Sequence, residues 1–331
     1  MSDHSGAARL VAAVGLVAIL AGCASETPGT PVTTAGTPVA SGLTSALAKV
    51  RATEESAVLV EYGDVAAVRE LVRRDRQRFQ PLQGVGYSDI AARSDSLAGA
   101  VGFDPANASE AIRVGQPPNW AGVLRMEVDA EAVNGKFAGL GAQRVDGPDS
   151  TTWITAADHE VRLTGELGRL GIVSGFNKVR VAPDSIAFGP SGTSLAWVVD
   201  PGTGPSLAQD EVVGGLAACL GEVTVAMISK SRRGGPAVAV GVRATKDEVT
   251  EFVCVPDENP AALRDRVQAR LDSPTADRGG QVWSTVFRDA EAEVPADRPG
   301  TVRVVAPADS ATRVGRVLQA LQRNDLAALF S

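Results

Sequence analysis

The sequence predicts an α+β protein of mostly antiparallel sheets with helices packed on one face, built as two related lobes. Three observations lead there. The 331 residues are 44% hydrophobic and 21% charged, the balance of a chain that buries a core. Short apolar runs of strand length, such as AVLVEY and EFVCV, recur along it. Four strand-like runs end in an acidic turn before a helical stretch, at Asp64, Asp129, Asp257 and Asp309. The irregular spacing of those turns excludes a solenoid.

The elements follow in order. Leu43, Leu47 and Val50 recur at helical spacing, so residues 42–52 read as a short helix. Ala57–Tyr62 reads as a strand. Asp64 then caps a helix carrying Val65, Val68, Val72 and Phe79. Short helices are expected at 94–101 and 106–114, and Gln116-Pro117-Pro118-Asn119 reads as a break. A strand at 123–128 leads into a helix capped by Asp129 and stopped by Gly141. Strands follow near 143–145, 151–155, 185–188 and 195–199. Residues 206–220 read as a helix with Ser206 as its cap, and 222–229, 237–243 and 249–255 as a three-stranded meander. Asn259 caps a helix at 260–271, with Pro260 at its first position. Residues 281–294 and 301–306 read as a strand pair, and 311–330 as the last helix. The lobes are expected at 43–200 and 201–331.

The N-terminal segment reads as an address. One Arg, Arg9, precedes an apolar run from Leu10 to Leu20. That run is too short to cross a hydrocarbon core, which takes about 20 residues, and suits a signal peptide occupying residues 1–22. Its end, Leu20-Ala21-Gly22-Cys23, resembles the lipobox of bacterial lipoproteins. The resemblance covers the first 23 residues and implies that Cys23 receives a diacylglycerol and becomes the new N-terminus. It further implies attachment to the cell membrane on its outer, extracytoplasmic face. Residues 24–42 are rich in Thr, Pro and Gly and lack the apolar groups of a core, so residues 23–42 form an anchor and tether. The threonines there resemble those of O-glycosylated stalks, with a bare spacer as the alternative. Arg greatly outnumbers Lys, and with abundant Ala and Gly the composition resembles that of high-GC actinobacterial proteins.

Export also organises the cysteines. With Cys23 assigned to lipid, Cys219 and Cys254 remain and are expected to form a disulfide. No CxxC occurs, which removes thioredoxin-like and zinc-knuckle readings.

The chain is poor in catalytic signals. After the signal peptide a single histidine, His159, remains, next to Asp158 in a polar stretch. A Ser-His-Asp site therefore has one candidate base. The string Gly189-Pro190-Ser191-Gly192-Thr193 misses the glycine pattern of a nucleophile elbow. The turn Pro201–Ser206 lacks the Gly-Lys-Ser/Thr ending of a phosphate loop. Asp289, Glu291 and Glu293 alternate on one strand face, about 6.6 Å apart per step, and are the weak metal candidates. A solvated charged strand accounts for them as well. Arg69, Arg73 and Arg76 share a helix face and offer contact with an anionic surface, or simply a solvated face. A net charge of −7 and 4% aromatics argue against a nucleic-acid partner.

The expected function is therefore a non-enzymatic, lipid-anchored envelope protein that binds an envelope partner. No cofactor is implied. A carrier of a small molecule or lipid is the alternative, and a carboxylate-dependent hydrolase comes third.

Overall fold

The structure is a computed structural model that describes residues 42–200, 202–230, 236–276, 280–311 and 313–330. The expected signal peptide, Cys23 and most of the expected tether lie outside the described residues.

Among the described residues one sheet dominates. Its strands are β1 (Leu59–Gly63), β2 (Glu110–Gln116), β3 (Asn119–Arg125), β4 (Gln143–Asp146), β5 (Thr151–Ile154) and β6 (Lys178–Ala182). They continue as β7 (Ser185–Gly189), β8 (Val225–Ser229), β9 (Val238–Ala244), β10 (Val249–Pro256), β11 (Glu291–Glu293) and β12 (Thr301–Pro307). The spatial order is β11-β12-β10-β9-β8-β1-β2-β3-β7-β6-β5-β4, and neighbours pair antiparallel. The α+β class is thus observed as one large antiparallel sheet with helices.

The two halves of the sheet share a plan. Each begins with three strands that pair in chain order, β1-β2-β3 or β8-β9-β10, with residues 64–109 inserted between β1 and β2. Each then crosses through a helix, and a later strand returns to pair with the third strand. The halves meet where β1 pairs with β8, Val60 opposite Ile228 and Tyr62 opposite Ala226.

The connections carry helices α1 (Gly42–Leu47), α2 (Val65–Arg74), α3 (Arg76–Phe79), α4 (Ser88–Ala91), α5 (Ser94–Val101), α6 (Ala130–Gly139) and α7 (Gly165–Arg169). Beyond them come α8 (Gly192–Val199), α9 (Glu211–Leu220), α10 (Pro260–Leu271), α11 (Trp283–Val286), α12 (Arg316–Gln322) and α13 (Leu326–Phe330). They cover both faces of the sheet, not one. Successive strand side chains point to opposite faces. Val60, Tyr62, Ile112, Val114, Ala226 and Ile228 pack against Leu43 and Leu47 of α1, Leu195 and Trp197 of α8, and Val213 and Leu216 of α9. On the opposite face two cores form. Val225, Val240, Val253 and Val304 meet α2, α10, α12 and α13. Leu124, Trp153, Val179 and Ile186 meet α5 and α6. Each large apolar side chain buried there contributes about 1.5–3 kcal/mol.

Double coverage explains where sequence periodicity misleads. Residues 110–116, part of which was expected as helix, form β2, because a strand buried on both faces loses its alternation. Pro117-Pro118 is then the turn of the β2–β3 hairpin. Residues 195–199 are helical, since the Ser191 hydroxyl accepts the Ser194 amide and starts α8. β6 falls in a stretch for which the sequence predicts no strand, although its Lys178-Val179-Arg180-Val181 alternates. The helix expected at 206–220 begins later, capped by Asp210 in place of Ser206; the Asp210 carboxylate accepts the Val212 and Val213 amides. The long strand expected at 281–294 is mostly not a strand: α11 occupies part of it, Asp289 adopts a left-handed turn at φ 55°, and only 291–293 pair. The last helix breaks at Asn324, φ 61°, into α12 and α13.

Candidate partner-binding surface

The sheet has two ends, and the sequence treats them differently. At one end β11 is three residues long. The Ala292 amide donates to Gln268 Oε1 of α10 at 2.8 Å, and Glu293 is held by Arg303 at 2.6 Å. Side chains thus close this edge, a common protection against unwanted pairing.

At the other end every residue of β4 is exposed. The Gly147 amide donates to the Ser150 carbonyl at 2.8 Å and fixes the phase of the β4–β5 ladder. Gln143 and Val145 therefore turn their backbone groups toward β5, and Arg144 and Asp146 turn theirs outward. The Arg144 side chain packs over Trp153, opposite it in the ladder, and its Nε donates to Asp146 Oδ1 at 2.8 Å. That bond holds the Asp146 carboxyl below the usual carboxylate range.

The segment between β5 and β6 adds apolar surface. Val161 is 64% exposed and Leu163 73%, while Val145 on β4 is 46% exposed. These are the exposed large hydrophobic residues among those described, and all three lie between the start of β4 and the start of β6. The segment is pinned from below. Buried Asn177 donates from Nδ2 to the carbonyls of Ala157 at 3.1 Å and Glu160 at 2.9 Å. Lys178 donates to the Ala156 carbonyl at 2.7 Å and pairs with Asp158 at 2.8 Å. The Arg162 amide donates to the Val173 carbonyl at 2.8 Å, and its guanidinium pairs with Glu160. That guanidinium lowers the Glu160 pKa, and the Lys178 bond lowers that of Asp158. Val161 and Leu163 are thus displayed on a loop whose backbone is fastened at several points.

Beside them lies a cleft of about 380 Å³, lined mainly by Pro117, Pro118, Trp120, His159, Val161 and Ile172. Arg113, 5% exposed, packs over the Trp120 ring at 5.0 Å. It also bonds Asp89 and lies 3.6 Å from Glu61, itself 6% exposed. Burial pushes the Glu61 carboxyl up, against the opposing pull of Arg113.

The residues singled out from sequence are distributed as follows. Cys219 and Cys254 form a disulfide that ties α9 to β10, with Cα atoms 6.3 Å apart. Cys23 lies outside the described residues. Arg69 is half-buried and donates to the carbonyls of Ala106 at 2.6 Å and Ala108 at 3.3 Å. Arg73 is exposed and pairs with Glu70. Arg76 opens α3, because Asp75 ends α2 and caps the next turn, so the three arginines do not share one continuous helix. Asp289, Glu291 and Glu293 are not gathered: the first sits in a turn and the last is engaged by Arg303. Among the described residues no group of three or more His, Cys, Asp or Glu is placed to hold a metal ion.

His159 and Ser191 approach through backbone, the His159 amide donating to the Pro190 carbonyl at 2.8 Å. The Ser191 hydroxyl is buried and used as a helix cap, shared with Ser194 Oγ at 2.9 Å. Sequence reasoning missed Val145, Val161 and Leu163, since an apolar residue in water and one in a core read alike.

No protein-family model and no curated protein sequence matches the chain. Among solved structures it is similar to TP0453 in two crystal forms. Form I is 14% identical with a TM-score of 0.45, covering 86% of this chain and 98% of that one. Form IV is 11% identical with a TM-score of 0.39, covering 82% and 95%. Likeness at that level assigns neither fold family nor function.

Proposed function

We propose that the chain is a non-enzymatic protein, lipid-anchored through Cys23 on the extracytoplasmic face of the cell membrane, that binds an envelope partner through the β4–β6 end of its sheet. The observation that carries the binding part is that Val161 and Leu163, two of the three exposed large hydrophobic residues among those described, stand together on one fastened loop beside a cleft. Exposed apolar residues gathered in one place mark interaction sites more often than scattered ones. The anchor part rests on the lipobox-like Leu20–Cys23 and the tether. Among the described residues no helix is long and apolar enough to cross a membrane. The non-enzymatic part is supported by polar groups already engaged in structure: Ser191 caps α8, and fully buried Glu251 accepts the Gly315 amide at 3.0 Å and the Val317 amide at 2.9 Å.

The experiment is cross-linking in intact membranes of the host. The variant V161D/L163D is expected to stay in the membrane fraction, keep its denaturation midpoint and lose its cross-linked partner. An unchanged cross-linking pattern would overturn the binding reading. C23A is expected to shift the chain to the soluble fraction, and retention in the membrane would overturn the anchor.

The carrier reading has one observation in its favour. A mostly apolar cavity of about 200 Å³ lies between α2 and residues 82–87, lined by Val65, Val68, Val72, Leu82, Val85 and Tyr87 among others. It falls below the roughly 300–1,000 Å³ of sites that enclose a drug-sized ligand. The larger cleft of about 380 Å³ is lined in part by Val161 and so belongs to the proposed partner surface, and the partner-binding reading is preferred.

A further inference from the structure

The free edge of β4 has a property its length alone does not suggest: its sequence is complementary to itself. Arg144 and Asp146 carry the outward backbone groups, so they are the positions through which a new strand pairs. A second β4 approaching antiparallel has three registers in which outward positions meet outward positions. Arg144 opposite Arg144 and Asp146 opposite Asp146 each bring like charges together and use one outward residue per chain. The remaining register is centred on Val145. It sets Arg144 of each copy opposite Asp146 of the other, uses both outward residues, and forms about four backbone hydrogen bonds. The two Val145 residues then face each other as a non-hydrogen-bonded pair, whose Cα atoms lie about 4.5 Å apart. That covers one of the exposed apolar side chains. The four charges lie on one face and alternate in sign.

We propose that β4 pairs antiparallel with β4 of a second copy of this chain, centred on Val145, so that the sheet continues from one molecule into the other. This names the partner of the β4–β6 surface and so rests on the partner-binding reading above. The opposite edge cannot serve in the same way, because Gln268 occupies the Ala292 amide. The contact is short. Anchoring both copies to one membrane through a long tether raises their effective concentration, which favours a weak symmetric pair. Val161 and Leu163 sit on the segment following β5 and remain available to extend the contact.

The test uses the full chain carrying V145C, kept in host membranes and mildly oxidised, then run on a non-reducing gel. The close approach of the two 145 positions suits a disulfide, so a reducible band at twice the chain mass is expected. Adding R144D sets Asp opposite Asp twice and is expected to cut that band by roughly fivefold or more. Adding both R144D and D146R restores opposite charges in the same register and is expected to restore the band. These exposed positions leave the cores untouched, and an unchanged denaturation midpoint checks that each variant is folded. A monomer alone, a band indifferent to R144D, or no recovery in the double swap overturns the proposal. A reducible adduct between V145C and a different polypeptide also overturns it, yet leaves partner binding standing. Partner binding fails separately, when V161D/L163D leaves the cross-links unchanged.

Discussion

Glu61 sits at the middle of the sheet, where the cores on either side of it leave a polar gap. Its neighbours are Arg113 and Asp89, with Ser88 and the Gly86 backbone as further hydrogen-bond partners. Burial is the largest influence and raises its pKa above the ordinary value of 4.5; Arg113 lowers it in part, and Asp89 adds to the rise. A raised acid pKa means the folded protein binds that proton more tightly than the unfolded chain does. The contribution of Glu61 is therefore most favourable at low pH. It falls as pH climbs from the unfolded value through the raised folded value. The variant E61Q keeps the shape and cannot ionise, so that slope is expected to vanish. Urea midpoints of wild type and E61Q, taken from about pH 4 to pH 7, read the effect as a difference. The wild type is expected to lose ground to E61Q as pH rises across the window. Parallel curves would sink the account.

At the scale of elements, the disulfide joins a helix on one face to a strand beneath it. Cys219 and Cys254 are 1% and 0% exposed and lie 35 positions apart in the sequence. Closing a loop of that length stabilises the fold by about 3–4 kcal/mol, mainly by restricting the unfolded chain. C219A/C254A is expected to lose about 3 kcal/mol in denaturant unfolding, and the oxidised, unfolded domain from residue 43 onward to show no titratable thiol. A loss under about 1 kcal/mol would mean that the native bond is strained or that the unfolded chain stays compact. Elements with local punctuation were legible in the sequence. Asn259 with Pro260 marked α10, Asp129 with Gly141 framed α6, and α5 falls where its spacing placed it. β2 was not legible, because packing between two layers of helices removes the alternation that identifies a strand; β6 does alternate in Lys178-Val179-Arg180-Val181 and was missed as a short run inside a loop-rich stretch. The disulfide was legible because assigning Cys23 to the expected lipid anchor leaves two cysteines over. The β4 edge was not: which backbone groups face outward depends on a ladder phase set by the β4–β5 turn, and no residue type encodes that.

For the whole molecule, the question is whether residues 43–200 and 201–331 behave as separate units. The boundary falls between α8 and α9, yet the sheet runs across it through β1 and β8. One core is built from both sides. Leu43, Val60, Ile112 and Trp197 come from the first part, and Leu216, Ile228, Ala239 and Phe252 from the second. Separating the parts would bare that core and leave β1 and β8 with open edges facing water, which favours cooperative loss of the whole. The tryptophans report on this directly. Trp153 lies in the core over β3, β6 and β7, and Trp283 in the core over β8–β12. Two variants, each keeping one of these and carrying Phe at the other three tryptophans, are expected to unfold in urea at fluorescence midpoints that coincide with the circular-dichroism midpoint of the same variant. If the Trp283 transition preceded or followed that of the backbone, the second part would unfold on its own, and the shared core would contribute less than its composition implies. Coincidence in both variants would mean that a repeated plan of strands has been fused into one cooperative unit by the β1–β8 pair and the helices packed across it.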